Sequence, residues 1–214
     1  MRVCSLFCGI GGIDLAFEKA GHTVVWANDI DKYACMTYRH NFPDIPLVEG
    51  DIRDIDKASI PAFDVLVAGF PCQPFSVCGK QNGFSDPRGN VFFEIGKIVD
   101  AKHPSVVFLE NVANLTEHDH GKTFNVIHNE LAGRGYYIRY IVADACDYGV
   151  PQHRTRTYII AFVDKTACER FVFPEKVPLE QRIKDIIDMS VKADDQYYYL
   201  PGSPKYKRLQ NAIV

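Results

Sequence analysis

Short apolar runs rich in β-branched residues recur along the first half of the chain at Val3–Phe7, Thr23–Ala27, Asp64–Ala68 and Val106–Leu109. They are too short for helices and too evenly apolar for half-solvated strands, so each predicts a strand buried within a parallel sheet. Between them, Ile13–Ala20, Lys32–His40 and Val91–Lys102 place apolar residues at helical spacing. A further strand is expected to end at Glu49-Gly50-Asp51-Ile52. Alternating strands and helices predict an open α/β sheet with helices on both faces. Tyr137–Ala143 and Thr157–Val163 add two strands with no helical pattern between them, so at least one is expected to pair antiparallel at the end of the sheet. Pro178–Ser190 reads as a last amphipathic helix with Ile183, Ile186 and Ile187 on one face. The residues beyond it, including Tyr197-Tyr198-Tyr199, Lys205, Lys207 and Arg208, read as an irregular solvated tail.

At 214 residues, 47% hydrophobic and 24% charged, the chain has material for one ordinary core and little for a second complete domain. No leader pattern precedes the first strand and no apolar run approaches the length of a membrane span, so a cytoplasmic protein with no membrane partner is expected. The seven cysteines are scattered without a C-x-x-C pair, which predicts reduced thiols and neither a disulfide framework nor a metal site. Glu117-His118-Asp119-His120 is read as a solvated loop. A net charge of −3 gives no general attraction for nucleic acid, so any such contact must come from a local patch or a partner.

In open α/β sheets ligands bind at the carboxyl ends of the strands, where the informative residues fall. The turn Phe7-Cys8-Gly9-Ile10-Gly11-Gly12 joins the first strand to the first helix, and its glycines allow close backbone approach to a ligand at a helix N-terminus. Asp29 ends the second strand about twenty residues after the first glycine, where a carboxylate can accept from ribose hydroxyls. Asp51 ends the third strand at the same edge and suits an adenine amino group, with Ile30 and Ile52 able to sandwich the ring. Together they predict an adenosine-containing cofactor, without separating NAD from S-adenosylmethionine.

The fourth strand runs into Gly69-Phe70-Pro71-Cys72-Gln73-Pro74-Phe75-Ser76, which sets a thiol between two prolines that stiffen the backbone. A cysteine at a rigid strand-end turn beside a cofactor cleft is a candidate nucleophile. With the glycine turn, Glu110-Asn111-Val112 and Gln152-His153-Arg154-Thr155-Arg156, these segments resemble the ordered motifs of bacterial cytosine-5 DNA methyltransferases, from residue 5 to about 163. The resemblance implies a Rossmann-like class I S-adenosylmethionine-dependent methyltransferase sheet. It also implies S-adenosyl-L-methionine as cofactor, held by Phe7, Cys8, Gly9, Gly11, Gly12, Asp29, Ile30, Asp51, Ile52 and Pro71, and double-stranded DNA as substrate in a restriction-modification setting. Carbon 5 of cytosine is too weak a nucleophile until a thiolate adds at carbon 6. Cys72 is expected to do this, Glu110 to meet the charge developing at N3, Arg156 to hold O2, and Arg154 to support it or touch a phosphate. Val77–Asn90 has the composition of a loop able to close over a flipped base. By the same resemblance Gln73, Ser76 and Arg88 are candidate DNA contacts.

The resemblance covers residues 1–177 as the catalytic domain and leaves 178–214 as a helix and tail leading toward an absent target-recognition region. A second polypeptide, or the rest of a longer enzyme, is therefore expected as partner. Three other readings are weighed: an RNA cytosine-5 methyltransferase using the same chemistry, a nicotinamide-dependent oxidoreductase, which would leave Cys72, Glu110 and Arg156 without a role, and a non-catalytic binding or regulatory subunit, against which the intact catalytic set argues.

Overall fold

The computed structural model describes residues 1–71, 91–188, 190–191 and 198–212. The first apolar run forms strand β1 (Arg2–Leu6), and the chain continues through α1 (Gly12–Lys19), β2 (Thr23–Asp29), α2 (Lys32–Asn41), β3 (Leu47–Glu49) and β4 (Val65–Ala68). Then come α3 (Val91–Lys102), β5 (Val106–Val112), α4 (Lys122–Ala132), β6 (Tyr137–Asp144), β7 (Thr155–Phe162) and α5 (Lys165–Arg170). The seven strands form one sheet in the order β3-β2-β1-β4-β5-β7-β6. Pairing is parallel from β3 through β5. β7 runs against both of its neighbours, as the absence of a crossover helix between β6 and β7 requires. The chain moves outward from β1 to β3 and then returns to place β4 on the other side of β1. The crevice between the ends of β1 and β4 is therefore the switch point at which such sheets bind ligands.

Successive strand residues face opposite layers. Cys4, Leu6, Leu66 and Ala68 join Phe92, Ile95, Ile98 and Val99 of α3 and Ile127 and Leu131 of α4 in the main core. On the other face Val3, Val24, Val65 and Val67 pack against Ile13 and Phe17 of α1, and Ala27 against Tyr38 of α2 and Phe42 just after it. Helices thus cover both faces.

Three segments differ from the sequence reading. Helix α4 follows a stretch read as loop, and His118 within that stretch is buried and shares a 2.7 Å hydrogen bond with Thr123 Oγ1. Its apolar stripe at Ile127 and Leu131 has helical spacing, but the left-handed Gly121 at its N-terminus supplies no side-chain cap to signal a start. The helix expected over 178–190 is one turn, α6 (Ile183–Ile186), with Ile183, Ile186 and Ile187 all more than half exposed. A short amphipathic segment with nothing to pack against gains too little to extend. The expected irregular tail instead forms α7 (Pro204–Ala212), started by proline in its first turn and by Ser203 Oγ, which accepts from the Tyr206 N–H at 3.2 Å.

One buried charge stands out beside the glycine turn. Asp14, in the first turn of α1, is 1% exposed, and among the described residues neither carboxylate oxygen has a hydrogen-bond partner, although Ser5 and Tyr38 face it. Burial pushes its carboxyl above the ordinary value of 3.8. A folded-state value above the unfolded one means stability is fullest below the unfolded value and is lost as pH rises through the folded one. Asp14→Asn is therefore expected to raise stability relative to the parent, with a gain that grows from about pH 4 upward. Urea unfolding at pH 5 and pH 8 checks this, and an equal gain at both would contradict it.

Candidate active site

The turn after β1 is built on unusual backbone. Phe7 has φ +54°, Gly9 +56° and Gly11 +91°. For a bulky residue such as Phe7 this left-handed geometry costs about 1–3 kcal/mol and is retained only where the surroundings impose it. Gly11 is doubly required, because an added Cβ would also stand 2.1 Å from Phe42 Cε2. Gly9 and Gly12 border open space, since a Cβ on either would meet nothing within 4 Å. The turn is held by Asp29: Gly9 N–H donates to its Oδ2 at 2.7 Å and Asp31 N–H to its Oδ1 at 2.8 Å. Each carboxylate oxygen has capacity for a further hydrogen bond. Next to it, Asn28 is 1% exposed and its Nδ2 donates to the carbonyls of Val48 and Gly50, both at 2.9 Å, which fixes the end of β3 beside β2.

The other cofactor candidates fall into different environments. Ile30 is 64% exposed, presenting an apolar surface at the cleft, whereas Ile52 is buried in the main core. Asp51 is engaged by Arg53, whose Nε lies 3.0 Å from both carboxylate oxygens. This contact holds its carboxyl below the ordinary range. Cys8 is partly buried, and burial pushes its thiol well above the ordinary value, so it stays protonated and contributes shape rather than charge.

Across the switch point, Pro71 ends the described part of the turn after β4. Cys72, Gln73, Ser76 and Arg88 lie outside the described residues. The approach to Cys72 is nonetheless anchored: Asn111, 2% exposed on β5, donates from Nδ2 to the Phe70 carbonyl at 3.2 Å, and Phe70 packs on Phe92 with ring centroids 5.6 Å apart. A Cβ on Gly69 would stand 3.5 Å from Glu110 Oε2 and 4.0 Å from the Phe7 carbonyl, so the glycine turn, the approach to Cys72 and Glu110 meet at one point.

Glu110 lies opposite Tyr158 in the β5–β7 register and Arg156 lies opposite Val112, which makes Glu110 and Arg156 diagonal neighbours on one face. Arg156 Nε reaches Glu110 Oε1 at 2.9 Å, and the two side chains are 20% and 19% exposed. Arg156 Nη1 also donates to the Thr155 carbonyl at 2.8 Å. Because β7 is antiparallel, its first residues arrive at the same sheet edge as the last residues of β5. Arg154, just before β7, has an exposed side chain, and its backbone N–H donates to Asp144 Oδ1 at 2.8 Å. Two contributors escaped the sequence reading: Asn111, visible only as the middle of Glu110-Asn111-Val112, and Asp144, which caps the β6–β7 connection.

The family model for C-5 cytosine-specific DNA methylases matches residues 1–211. The chain is 48% identical over 202 residues to the type II methyltransferase M.Bsp6I of Bacillus sp. (strain RFL6), covering 93% of this chain and 64% of that protein. It is 44% identical over 187 residues to the type II methyltransferase M.HhaI of Haemophilus parahaemolyticus, covering 87% and 57%. Among solved structures, the Entamoeba histolytica methyltransferase EhMeth superposes with a TM-score of 0.73 at 25% identity, over 94% of this chain and 63% of that one. The chain thus spans less than two thirds of the length of these relatives. With the family model matched over nearly the whole sequence, the chain belongs to the C-5 cytosine-specific DNA methylase family.

Proposed function

We propose that this chain is the catalytic part of an S-adenosylmethionine-dependent DNA (cytosine-5) methyltransferase acting on double-stranded DNA in a restriction-modification setting. The observation that carries the reading is the Glu110–Arg156 pair on β5 and β7, with Glu110 beside Gly69 in the anchored turn that leads to Cys72. Cys72 adds through sulfur to carbon 6 of a flipped cytosine, and the electron pair moves into the ring. Glu110, entering this step with its carboxyl protonated, donates to N3 as the charge develops there and is left as a carboxylate beside Arg156. A guanidinium has five N–H donors, so Arg156 can hold Glu110 and the ring O2 together. Arg154 supports this edge or meets a phosphate, and Gln73, Ser76 and Arg88 contact the DNA. When bound, S-adenosylmethionine supplies the methyl group. After transfer, loss of the carbon 5 proton to a base and departure of the thiolate restore the ring and the enzyme.

The residues fit such a cofactor. The open space above Gly9 and Gly12 would leave room for such a cofactor, with Phe7, Cys8, Gly11 and Pro71 as the further residues that would hold it. Asp29 keeps lone pairs for the ribose hydroxyls, and Ile30 offers an exposed face to the adenine. Asp51 serves the adenine amino group while shared with Arg53, and Ile52 backs the ring from the core. Asp29→Ala is expected to weaken cofactor binding by about 1–3 kcal/mol. It also leaves the Gly9 amide without its acceptor, at a similar cost in stability. Calorimetric binding and thermal unfolding measure the two losses separately, and unchanged affinity would refute the ribose role.

We further propose that residues 1–177 form the catalytic domain, that 178–214 lead away from it, and that target recognition lies on a second polypeptide or on further chain. Support comes from the 57–64% share of relatives' length and from an apolar cavity of about 600 Å³ on the α1 side of the sheet. Phe17, Val106, Phe108, Ile160, Phe171 and Phe173 are among its lining residues. The occupant proposed is the part of the family-length enzyme that follows the matched region, docking an apolar segment there. Labelled S-adenosylmethionine and unmethylated genomic DNA test the whole reading, with the chain alone and after adding the product of the adjacent coding region. Site-specific methylation is expected only in the second case. Robust methylation by the chain alone refutes the need for a partner, and transfer to competing tRNA rather than DNA favours the RNA enzyme.

A further inference from the structure

A cluster outside the cleft has a geometry that hydrogen bonding alone does not use well. Asp144 ends β6, the 3-10 turn Ala145–Asp147 presents Cys146, and the chain returns through His153 just before β7. His153 Nδ1 lies 3.4 Å from Cys146 Sγ and 3.2 Å from Asp144 Oδ2, and the three donor atoms all lie within 4.8 Å of one another. A proton relay would put the thiol and the carboxylate on opposite ring nitrogens. Here both face the same nitrogen, which can offer at most one proton, so the three groups converge on a point rather than form a chain.

We propose that Asp144, Cys146 and His153 form a site for a divalent cation of the zinc type, with its fourth position open. Bond lengths of about 2.3 Å to sulfur and about 2.0–2.2 Å to nitrogen and oxygen at tetrahedral angles imply S···N and N···O edges of about 3.6 and about 3.4 Å. The observed 3.4 and 3.2 Å are close to both, and the remaining sulfur–oxygen edge lies within 4.8 Å, so small side-chain adjustments bring the three groups onto one ion. The carboxylate is already oriented: Oδ1 accepts the backbone N–H of Arg154 at 2.8 Å and of Cys146 at 3.4 Å, and Oδ2 accepts the Thr155 hydroxyl at 3.1 Å. Such supporting contacts tune a metal ligand rather than compete with it, because the backbone and Thr155 contacts remain while those to His153 and the Cys146 thiol give way to the ion. On loading, the Cys146 S–H bond breaks, its proton leaves to solvent, sulfur binds the metal, and neutral His153 binds through Nδ1. One thiolate, one imidazole and one carboxylate favour zinc over magnesium or calcium, which take oxygen ligands. His153 is exposed, so the fourth corner faces solvent or a docked partner. An ion here ties the end of β6 to the start of β7 and so braces the segment that carries Arg154 and Arg156.

The full chain, stripped with chelator under reducing conditions, is titrated with zinc by calorimetry and with cobalt by absorbance. One equivalent of zinc is expected to bind, and cobalt is expected to give a near-ultraviolet thiolate charge-transfer band with the visible intensity of tetrahedral coordination. Cys146→Ser at a half-buried position and His153→Ala at an exposed one, both checked for folding by circular dichroism, are expected to abolish the band and weaken zinc at least about tenfold. Cys72→Ser is expected to leave both unchanged. Failure to bind zinc at micromolar concentration overturns the site, as does a cobalt band that survives Cys146→Ser or disappears with Cys72→Ser.

Discussion

Replacing Cys72 with alanine is expected to lower methyl transfer by the assembled enzyme by about 10⁴-fold or more, while cofactor affinity changes less than about twofold. The asymmetry follows from chemistry. Without addition at carbon 6 the ring cannot accept the methyl group at any useful rate, whereas the contacts proposed for the cofactor centre on the glycine turn, which Asp29 holds through the Gly9 amide. Duplex DNA with 5-fluorocytosine at the target is expected to trap the parent protein covalently, because fluorine does not leave as a proton does. Peptide mapping of the adduct identifies the sulfur, and attachment through any other cysteine would sink the assignment.

The second large effect is expected at Arg156. Its contact with Glu110 is 2.9 Å and four-fifths buried, so Arg156→Met leaves a carboxylate without its partner in a partly dry site. Removing one member of a buried pair costs more than the pair contributes as a whole. Stability is expected to fall by about 1–3 kcal/mol and methyl transfer by about 10²–10³-fold. Arg156→Lys is expected to rescue stability in part and activity little, since an ammonium lacks the planar fork that holds a carboxylate and a ring oxygen together. Combining Arg156→Met with Glu110→Gln is expected to cost less stability than the sum of the single changes. Urea unfolding of the four proteins measures this, and strict additivity would mean that the two side chains are not coupled.

Much of the site was legible along the chain because its residues fall at strand ends with distinctive local chemistry. Gly9 and Gly11 signalled a tight turn, and both occupy left-handed backbone. Asp29, twenty residues after Gly9, bonds back to that glycine's amide. Other parts depended on neighbours no local pattern reveals. Asp51 reads as a free strand-end acid until Arg53 closes on it. Ile52 and Ile30 have the same side chain, yet one is core and the other is exposed. Scattered cysteines gave no expectation of a metal site, since Cys146 meets Asp144 and His153 only when the β6–β7 connection folds back.

The amino-acid sequence by itself determined the alternation of buried strands and helices, the single antiparallel return near the end, and the residues with nucleophilic and charged chemistry at the strand ends. These depend on periodicity and on short-range backbone preferences, which act within a few residues. Only the tertiary structure decided which of those residues meet. Arg156 reaches Glu110 because β7 lies antiparallel to β5 in one register, and a shift of one residue would turn the guanidinium to the opposite face. The apolar cavity beside Phe17 and Phe108 likewise arises from where the helices lie over the sheet, with α1 and α2 on that face and α3 and α4 on the other. Long-range pairing and coverage of this kind follow from the packing of whole elements, to which each residue contributes and which none encodes alone.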